Sequence, residues 1–357
     1  MSPRIGLALS GGGFRATAFG LGSLRALHDS DLLRHVTVVS GISGGSLLAA
    51  MWAYGPERFE EFDDTVTTLL RTGLQSELVR RALAPRAAGR AIASSVLALM
   101  PQQKRSYSRA EALVEALESR HFGAKLVNEP THRDTATIIS ATDMITGNAV
   151  RFGSALSACS PYGTILNKIS VAEAVAASAA FPVLLPALRR NYEFQSKDGS
   201  RHNEHMVMTD GGVYDNLGLS PLLPGRSMQF TSHVYDLDYI VAVDAGRGRM
   251  QTSAARYMLG RMAQSFDITH TKSQDAGRSR IHSARENNQL RGLIHVYLGM
   301  RDERLPLPVA DLVPRSRVQN YPTNFAPMKK FDLDAITIRA EQITRTLLSS
   351  YTPDIAG

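Results

Sequence analysis

Ser43 stands in Gly41-Ile42-Ser43-Gly44-Gly45, between the β-branched run "VTVVS" and the apolar stretch "LLAAMWAYG". A serine at a strand-to-helix turn of this pattern is built as a nucleophile: the strained backbone lifts its hydroxyl above the sheet edge. The positions two before and two after must be small, because strand and helix backbones crowd there, and Gly41 and Gly45 meet that demand. The helix that follows turns its positive end toward the serine. The competing reading is a tight turn whose serine is idle; strand signal before and helix signal after favour the nucleophile.

A serine attacking a carbonyl needs N–H donors for the developing oxyanion and a base for its proton. Gly11, Gly12 and Gly13 follow the first apolar run, "RIGLALS", and open a helix, so their N–H groups form a candidate nest, with the Gly44 N–H as a further donor. Arg15, in the first helical turn, would support that loop or add positive charge. Gly11-x-Gly13-x-x-Ala16 also fits a dinucleotide-binding fingerprint. That fingerprint wants an acid near the end of the second strand, where this chain has Ser40-Gly41, so the cofactor reading loses and phosphate binding stays as an alternative. Of the late histidines, His233, His270, His282 and His295, none stands in a strand-end context suited to a triad. "MVMTDGGVYDN" does: Asp210 closes a strand ahead of Gly211-Gly212. A partly desolvated carboxylate has a raised pKa and serves as a base without histidine. Asp215 is the second candidate, and the plain alternative is an aspartate capping its own turn.

The elements that position these residues alternate short apolar runs with longer helical patterns, which predicts an α/β fold with a mostly parallel central sheet flanked by helices. Strands are expected at "RIGLALS", "VTVVS", "TATIISATD", "EHMVMTDGG", "YIVAVDAG" and "LIHVYLGM". Helices are expected from about 14 to 28, in "GSLLAAMWAYG", in "SVAEAVAASAA" up to Pro182, as one long basic helix or helix pair over 253–288, and over 335–351. Residues 56–130 break the rhythm and read as a helical insertion or cap. The whole, 4–350, is expected to form one domain, with 250–357 as its C-terminal extension.

The glycine triplet with its arginine ("GGGFR"), "GISGG" and the late "DGG" together resemble the patatin-like phospholipases. Softer matches are "ATDMITGNAVRF", "ASAAFPVLLP" and "IVAVDAG", so the resemblance spans most of residues 4–247. It implies a lipid acyl hydrolase with Ser43 as nucleophile, Asp210 as base and Gly11, Gly12 and Gly13 as the oxyanion loop. The chain departs from the family at Ser10 and Ala16, where aspartate and glycine are frequent. Similarity to bacterial members that cyclic oligonucleotides switch on in antiphage defence adds a cyclic-nucleotide activator to the expectations, received by basic segments at 80–109 and 256–285.

Composition narrows the partners. A net charge of +7 favours anionic surfaces mildly, without a nucleic-acid-binding signature. Between Glu77 and Glu111 no acid occurs, while Arg80, Arg81, Arg86, Arg90, Lys104, Arg105 and Arg109 do. A helical wheel there gathers Ile92, Val96, Leu99 and Met100 beside Arg86 and Arg90, which suits docking on a phospholipid surface or packing as a cap. Phe181, Leu184 and Leu185 would wall an acyl slot or belong to plain core. The single Cys159 excludes an intrachain disulfide, and no clustered ligands imply a metal. No run is long enough to span a bilayer: the most apolar candidate carries Glu173, Pro182 and Pro186. A cytoplasmic protein, peripheral to the membrane's inner face when active, is expected; homo-oligomerisation stays open. The expected function is fatty-acid release from membrane phospholipid. The alternatives are a soluble esterase on small esters, or a nucleotide-binding or scaffold module with a non-catalytic serine turn.

Overall fold

A computed structural model describes residues 2–82, 109–182, 185–248 and 254–355. Its strands are β1 (Ile5–Leu9), β2 (Val36–Gly41), β3 (Ala136–Asp143), β4 (Ala149–Gly153), β5 (Ala158–Cys159), β6 (Gly163–Ile165), β7 (Leu188–Gln195), β8 (Arg201–Asp210), β9 (Tyr239–Asp244) and β10 (Gly292–Tyr297). The helices are α1 (Gly13–Asp29), α2 (Gly44–Tyr54), α3 (Phe59–Thr72), α4 (Gln75–Ala82), α5 (Arg109–Leu117), α6 (Val171–Ser178), the short α7 (Gly212–Asp215), α8 (Met258–Glu286), α9 (Arg315–Val318) and α10 (Lys330–Tyr351).

β1 and β9 are buried at every position, which is why they read as unbroken apolar runs: helices cover both faces of this part of the sheet. Parallel pairing runs from β10 through β9, β1 and β2 to β3. Beyond β3 the expectation of a mostly parallel sheet is corrected. Every pairing from β3 through β4, β5, β6 and β7 to β8 is antiparallel, and β8 returns to pair with β3, closing this half like a barrel. The physical reason is connection length. The turns after β3 and β7 are far shorter than the dozen or so residues a parallel crossover needs. β7 also alternates buried and exposed positions, as a strand with one solvated face should. The closure sets Asp210 opposite Ala141 of β3, and so brings the end of β8 to the edge where β2 delivers Ser43.

One apolar cluster packs α1, α2 and α10 against the sheet. A second fills the opposite face with Leu217, Leu219, Leu222 and, from α8, Ile281 and Ala284. In the region expected as insertion or cap, α3 spaces Phe62, Val66, Leu69 and Leu70 along one face, and all four lie in the first cluster, with most of α5. The long basic stretch is a single helix, and α6 stops four residues before Pro182. Arg86, Arg90, Ile92, Val96, Leu99, Met100, Lys104, Arg105 and Leu184 lie outside the described residues. Arg80 and Arg81 sit on α4, where Arg81 pairs with Glu77 at 2.6 Å. Among the described residues no helix is long and apolar enough to cross a membrane.

Candidate active site

Ser43 links β2 to α2 with φ 52° and ψ −117°, a conformation in which a non-glycine residue is strained. The neighbouring glycines make room for it. A Cβ at Gly41 would lie 2.6 Å from the Ser46 Cα, and one at Gly45 2.3 Å from the Leu9 carbonyl oxygen. The Ser43 N–H donates to Ser178 Oγ at 3.0 Å, at the end of α6, and Ser46 Oγ donates to the Ser43 carbonyl at 2.6 Å. These bonds hold the turn open from two elements.

Asp210, buried to 3% exposure, ends β8 with its carboxyl close enough to the Ser43 side chain for that hydroxyl to act on its pKa. The Gly212 N–H donates to its Oδ1 at 2.7 Å. Burial pushes its pKa up to about 6, against the opposing pull of the Gly212 hydrogen bond and the Ser43 hydroxyl. Thr142 Oγ1 donates to its backbone carbonyl at 3.0 Å, and its own N–H donates to the Ala180 carbonyl at 3.1 Å. The carboxylate is therefore fixed from β3 and from the segment after α6. Asp215 is occupied elsewhere, its two oxygens accepting the Leu217 and Ser220 N–H groups.

In the glycine loop Gly12 (φ 142°) and Gly13 (φ 58°) adopt left-handed conformations that other residues rarely tolerate. Gly44 abuts them: a Cβ there would lie 2.0 Å from the Gly13 carbonyl oxygen, and Thr17 Oγ1 donates to the Gly44 carbonyl at 2.8 Å. The N-termini of α1 and α2 thus meet, with the Gly12, Gly13 and Gly44 N–H groups accepted by no atom of the described residues. Gly11 is a correction as a donor, because its N–H goes to the Asn216 carbonyl at 2.8 Å. The loop must be tied to the Asp210 turn, and Gly11 makes that tie. Asn216 also sets its Oδ1 where a Cβ on Gly11 or Gly212 would fall, which explains both glycines.

Arg15 lies beneath the loop. Its Nε donates to the Ala245 carbonyl at 3.1 Å, and its Nη1 to the Tyr321 carbonyl and Thr323 Oγ1 at 2.8 and 2.9 Å. Burial, with Arg247 nearby, lowers its pKa to about 9. Ser10, at the departure from the family pattern, uses its hydroxyl to accept the Ala245 N–H at 2.8 Å and so joins the loop to β9.

The histidines are placed otherwise. His233 is buried against the Leu156 carbonyl at 3.2 Å, and burial brings its pKa down to about 4. His282 and His295 face each other at 3.2 Å, with His295 3.4 Å from Asp244. His270 of α8 bonds the backbone of Gly212, so this helix reaches the turn after Asp210. Leu185 is core, and Phe181 is half-buried. Sequence reasoning missed Ser178, Asn216 and Ser10. Asn216 carried a signal, six residues after Asp210 in the same motif; Ser178 carried none. Among the described residues no group of three or more His, Cys, Asp or Glu is arranged to hold a metal.

The family model for patatin-like phospholipases matches residues 7–223, a span that holds Ser43, Asp210 and the glycine loop. Comparison with curated proteins gives no match. Among solved structures the fold is similar to human GIVD cytosolic phospholipase A2, at 13% identity and a TM-score of 0.55, over 97% of this chain and 61% of that one. A structure of that human enzyme in complex with methyl gamma-linolenyl fluorophosphonate gives 14% identity and a TM-score of 0.54, over 97% and 57%. The chain thus spans about three-fifths of the length of these neighbours. At such identity the likeness is one of fold.

Proposed function

Because the chain belongs to the patatin-like phospholipase family, we propose that it hydrolyses the fatty-acyl esters of phospholipids through Ser43 and Asp210. The observation that carries the reading is the strained Ser43 beside a buried carboxylate whose pKa of about 6 leaves it ionised, yet basic, at neutral pH. Asp210 accepts the hydroxyl proton as Ser43 Oγ attacks the ester carbonyl. The N–H groups of Gly12, Gly13 and Gly44 steady the oxyanion. Asp210 returns the proton to the leaving lysophospholipid oxygen, leaving an acyl group on Ser43. Water then attacks the acyl-enzyme, giving its proton to Asp210, and the fatty acid leaves as Ser43 recovers a proton.

A phospholipid surface on the cytoplasmic side is the proposed partner, met peripherally. Control by an anionic cyclic nucleotide belongs to the same reading; Arg256, Arg261, Arg280 and Arg285 on or beside α8 are the described part of the basic surface it would use.

Purified wild-type protein and Ser43→Ala are incubated with phosphatidylcholine–phosphatidylglycerol vesicles, with and without cyclic di- and trinucleotides, and fatty acid is counted by mass spectrometry. Release by wild type alone is expected, and a fatty-acyl fluorophosphonate should label Ser43 in wild type and not in the variant. Equal release by both proteins would remove Ser43 from the mechanism. Turnover of short esters with none of vesicles would move the reading to a soluble esterase.

A further inference from the structure

Arg151 of β4 lies opposite Ser140 of β3 in the sheet register and is 5% exposed. Its Nη2 donates to Ser220 Oγ at 3.1 Å, and Tyr214 lies near enough to act on it electrostatically. Its Nε and the Ser140 Oγ are both buried with no partner among the described residues. Arg226 converges on the same Ser220, its Nη1 donating to the carbonyl, while Nε and Nη2 go to the His233 carbonyl and Thr231 Oγ1 at 3.1 and 2.8 Å. All these acceptors are neutral. Arg280, exposed on α8, comes close enough to act on Arg226 electrostatically.

Three guanidiniums therefore share one neighbourhood, and the carboxylate acting on it is Asp215, whose oxygens are already taken by backbone N–H groups. Buried positive charge without a paired anion is expensive. Burial depresses the pKa of Arg151 and Arg226, with mutual repulsion adding to the effect at Arg226. The group also stands beside the proposed catalytic turn. The Tyr214 and Asp215 N–H groups donate to the Gly211 carbonyl at 3.1 and 2.9 Å, and a Cβ on Gly211 would fall 2.1 Å from the Ser140 carbonyl oxygen.

We propose that Arg151, Arg226 and Arg280, with the exposed Tyr214 beside them, form a binding site for a phosphate-bearing anion. Guanidinium forks match phosphate oxygens, and such an anion supplies the charge the cluster lacks. As a binding site it stands apart from catalysis. If the anion is the headgroup phosphate of the lipid being cleaved, the proposal rests on the hydrolase reading and adds a specificity determinant to it; the other source is a free phosphate compound.

The test uses the full chain. Inorganic pyrophosphate is titrated calorimetrically at fixed ionic strength into Ser43→Ala, which cannot turn over, and into the same protein carrying Arg280→Gln, Arg151→Gln or, as an exposed control, Arg189→Gln. Melting curves confirm that each variant is folded. Arg280→Gln should weaken binding about tenfold, the cost of one charge-assisted hydrogen bond, and Arg189→Gln should not. A second arm compares Arg280→Gln with wild type on monomeric dihexanoyl phosphatidylcholine and on p-nitrophenyl butyrate, which has no phosphate. A fall on the phospholipid alone identifies the headgroup as the ligand. Weakened pyrophosphate binding with an unchanged substrate ratio identifies a free phosphate compound. Pyrophosphate that fails to bind, or binds Arg280→Gln and Arg151→Gln as tightly as the control, together with an unchanged ratio, overturns the site. A protein that hydrolyses nothing overturns the hydrolase reading and leaves the first arm to decide.

Discussion

Asp210 titrates near pH 6 because burial outweighs the hydrogen bond from the Gly212 N–H and the pull of the Ser43 hydroxyl. In the proposed role of base it must be ionised, so kcat/KM should fall about tenfold per pH unit below 6 and flatten above it. The effect on stability runs the other way. A carboxyl whose folded pKa lies above its unfolded value of 3.8 binds a proton more readily in the folded state. The fold therefore gains stability as pH falls from about 6 toward 4, and at neutral pH the ionised group costs on the order of 3 kcal/mol. Asp210→Asn, which keeps an oxygen for the Gly212 N–H, should abolish turnover and melt higher than wild type at pH 7.5; a lower Tm would mean that the carboxylate is structural. Strain at Ser43 gives a parallel case. Ser43→Gly removes the side chain from a φ of 52° and should stabilise by about 1 kcal/mol in denaturant titrations while ending fluorophosphonate labelling. At this scale the strained serine turn and the aspartate that ends β8 were legible, because each is announced by glycines within two residues. The loss of Gly11 as a donor was not, since its partner Asn216 is 205 positions away.

Ser178, which takes the Ser43 N–H, is placed by α6, and α6 is held by a buried ion network. Arg190 of β7 reaches Glu173 of α6 at 2.8 Å and Glu111 of α5 at 2.6 Å, with its own side chain 3% exposed. The two carboxylates hold the Arg190 pKa well above its usual value despite burial. Arg190→Met should cost about 3–5 kcal/mol by removing the buried cation that both carboxylates face, and should slow Ser43 labelling although Ser43 and Asp210 are intact. Adding Glu111→Leu and Glu173→Gln should restore most of the stability; a triple variant no better than the single would show that α6 is held by packing alone. None of this was readable in the sequence, because charged residues in "LRRNYEFQ" mask a strand whose buried positions alternate with exposed ones. The parallel strands were legible for the opposite reason: burial on both faces leaves them apolar at nearly every position. The antiparallel closure went unseen because a hairpin and a crossover differ in what comes after the strand, and short polar turns resemble loops.

At the scale of the whole molecule, the region matching the family model stops at residue 223, but the site does not stand on that region alone. β9 lies between β1 and β10, and the residue after it, Ala245, receives Arg15 and donates to Ser10 on the glycine loop. Farther along, the Asn324 carbonyl accepts the Phe14 N–H at 3.0 Å, and α10 packs so closely on α1 that a Cβ at Gly22 would lie 2.1 Å from the Thr337 carbonyl oxygen. A fragment of residues 1–223 would expose the edge of β1 that pairs with β9 and the apolar face of α1. It should be expressed as an aggregating or molten species without near-ultraviolet circular dichroism, and should not be labelled at Ser43. Gly22→Val tests the same dependence in the intact chain. The valine must push α10 outward, at a cost of about 1–3 kcal/mol or more, and the glycine loop should loosen with it. Labelling that slows in step with the loss of stability would tie the C-terminal helix to the oxyanion loop. Unchanged labelling in a destabilised protein would show that the loop is held by β9 and Asn216 without help from α10.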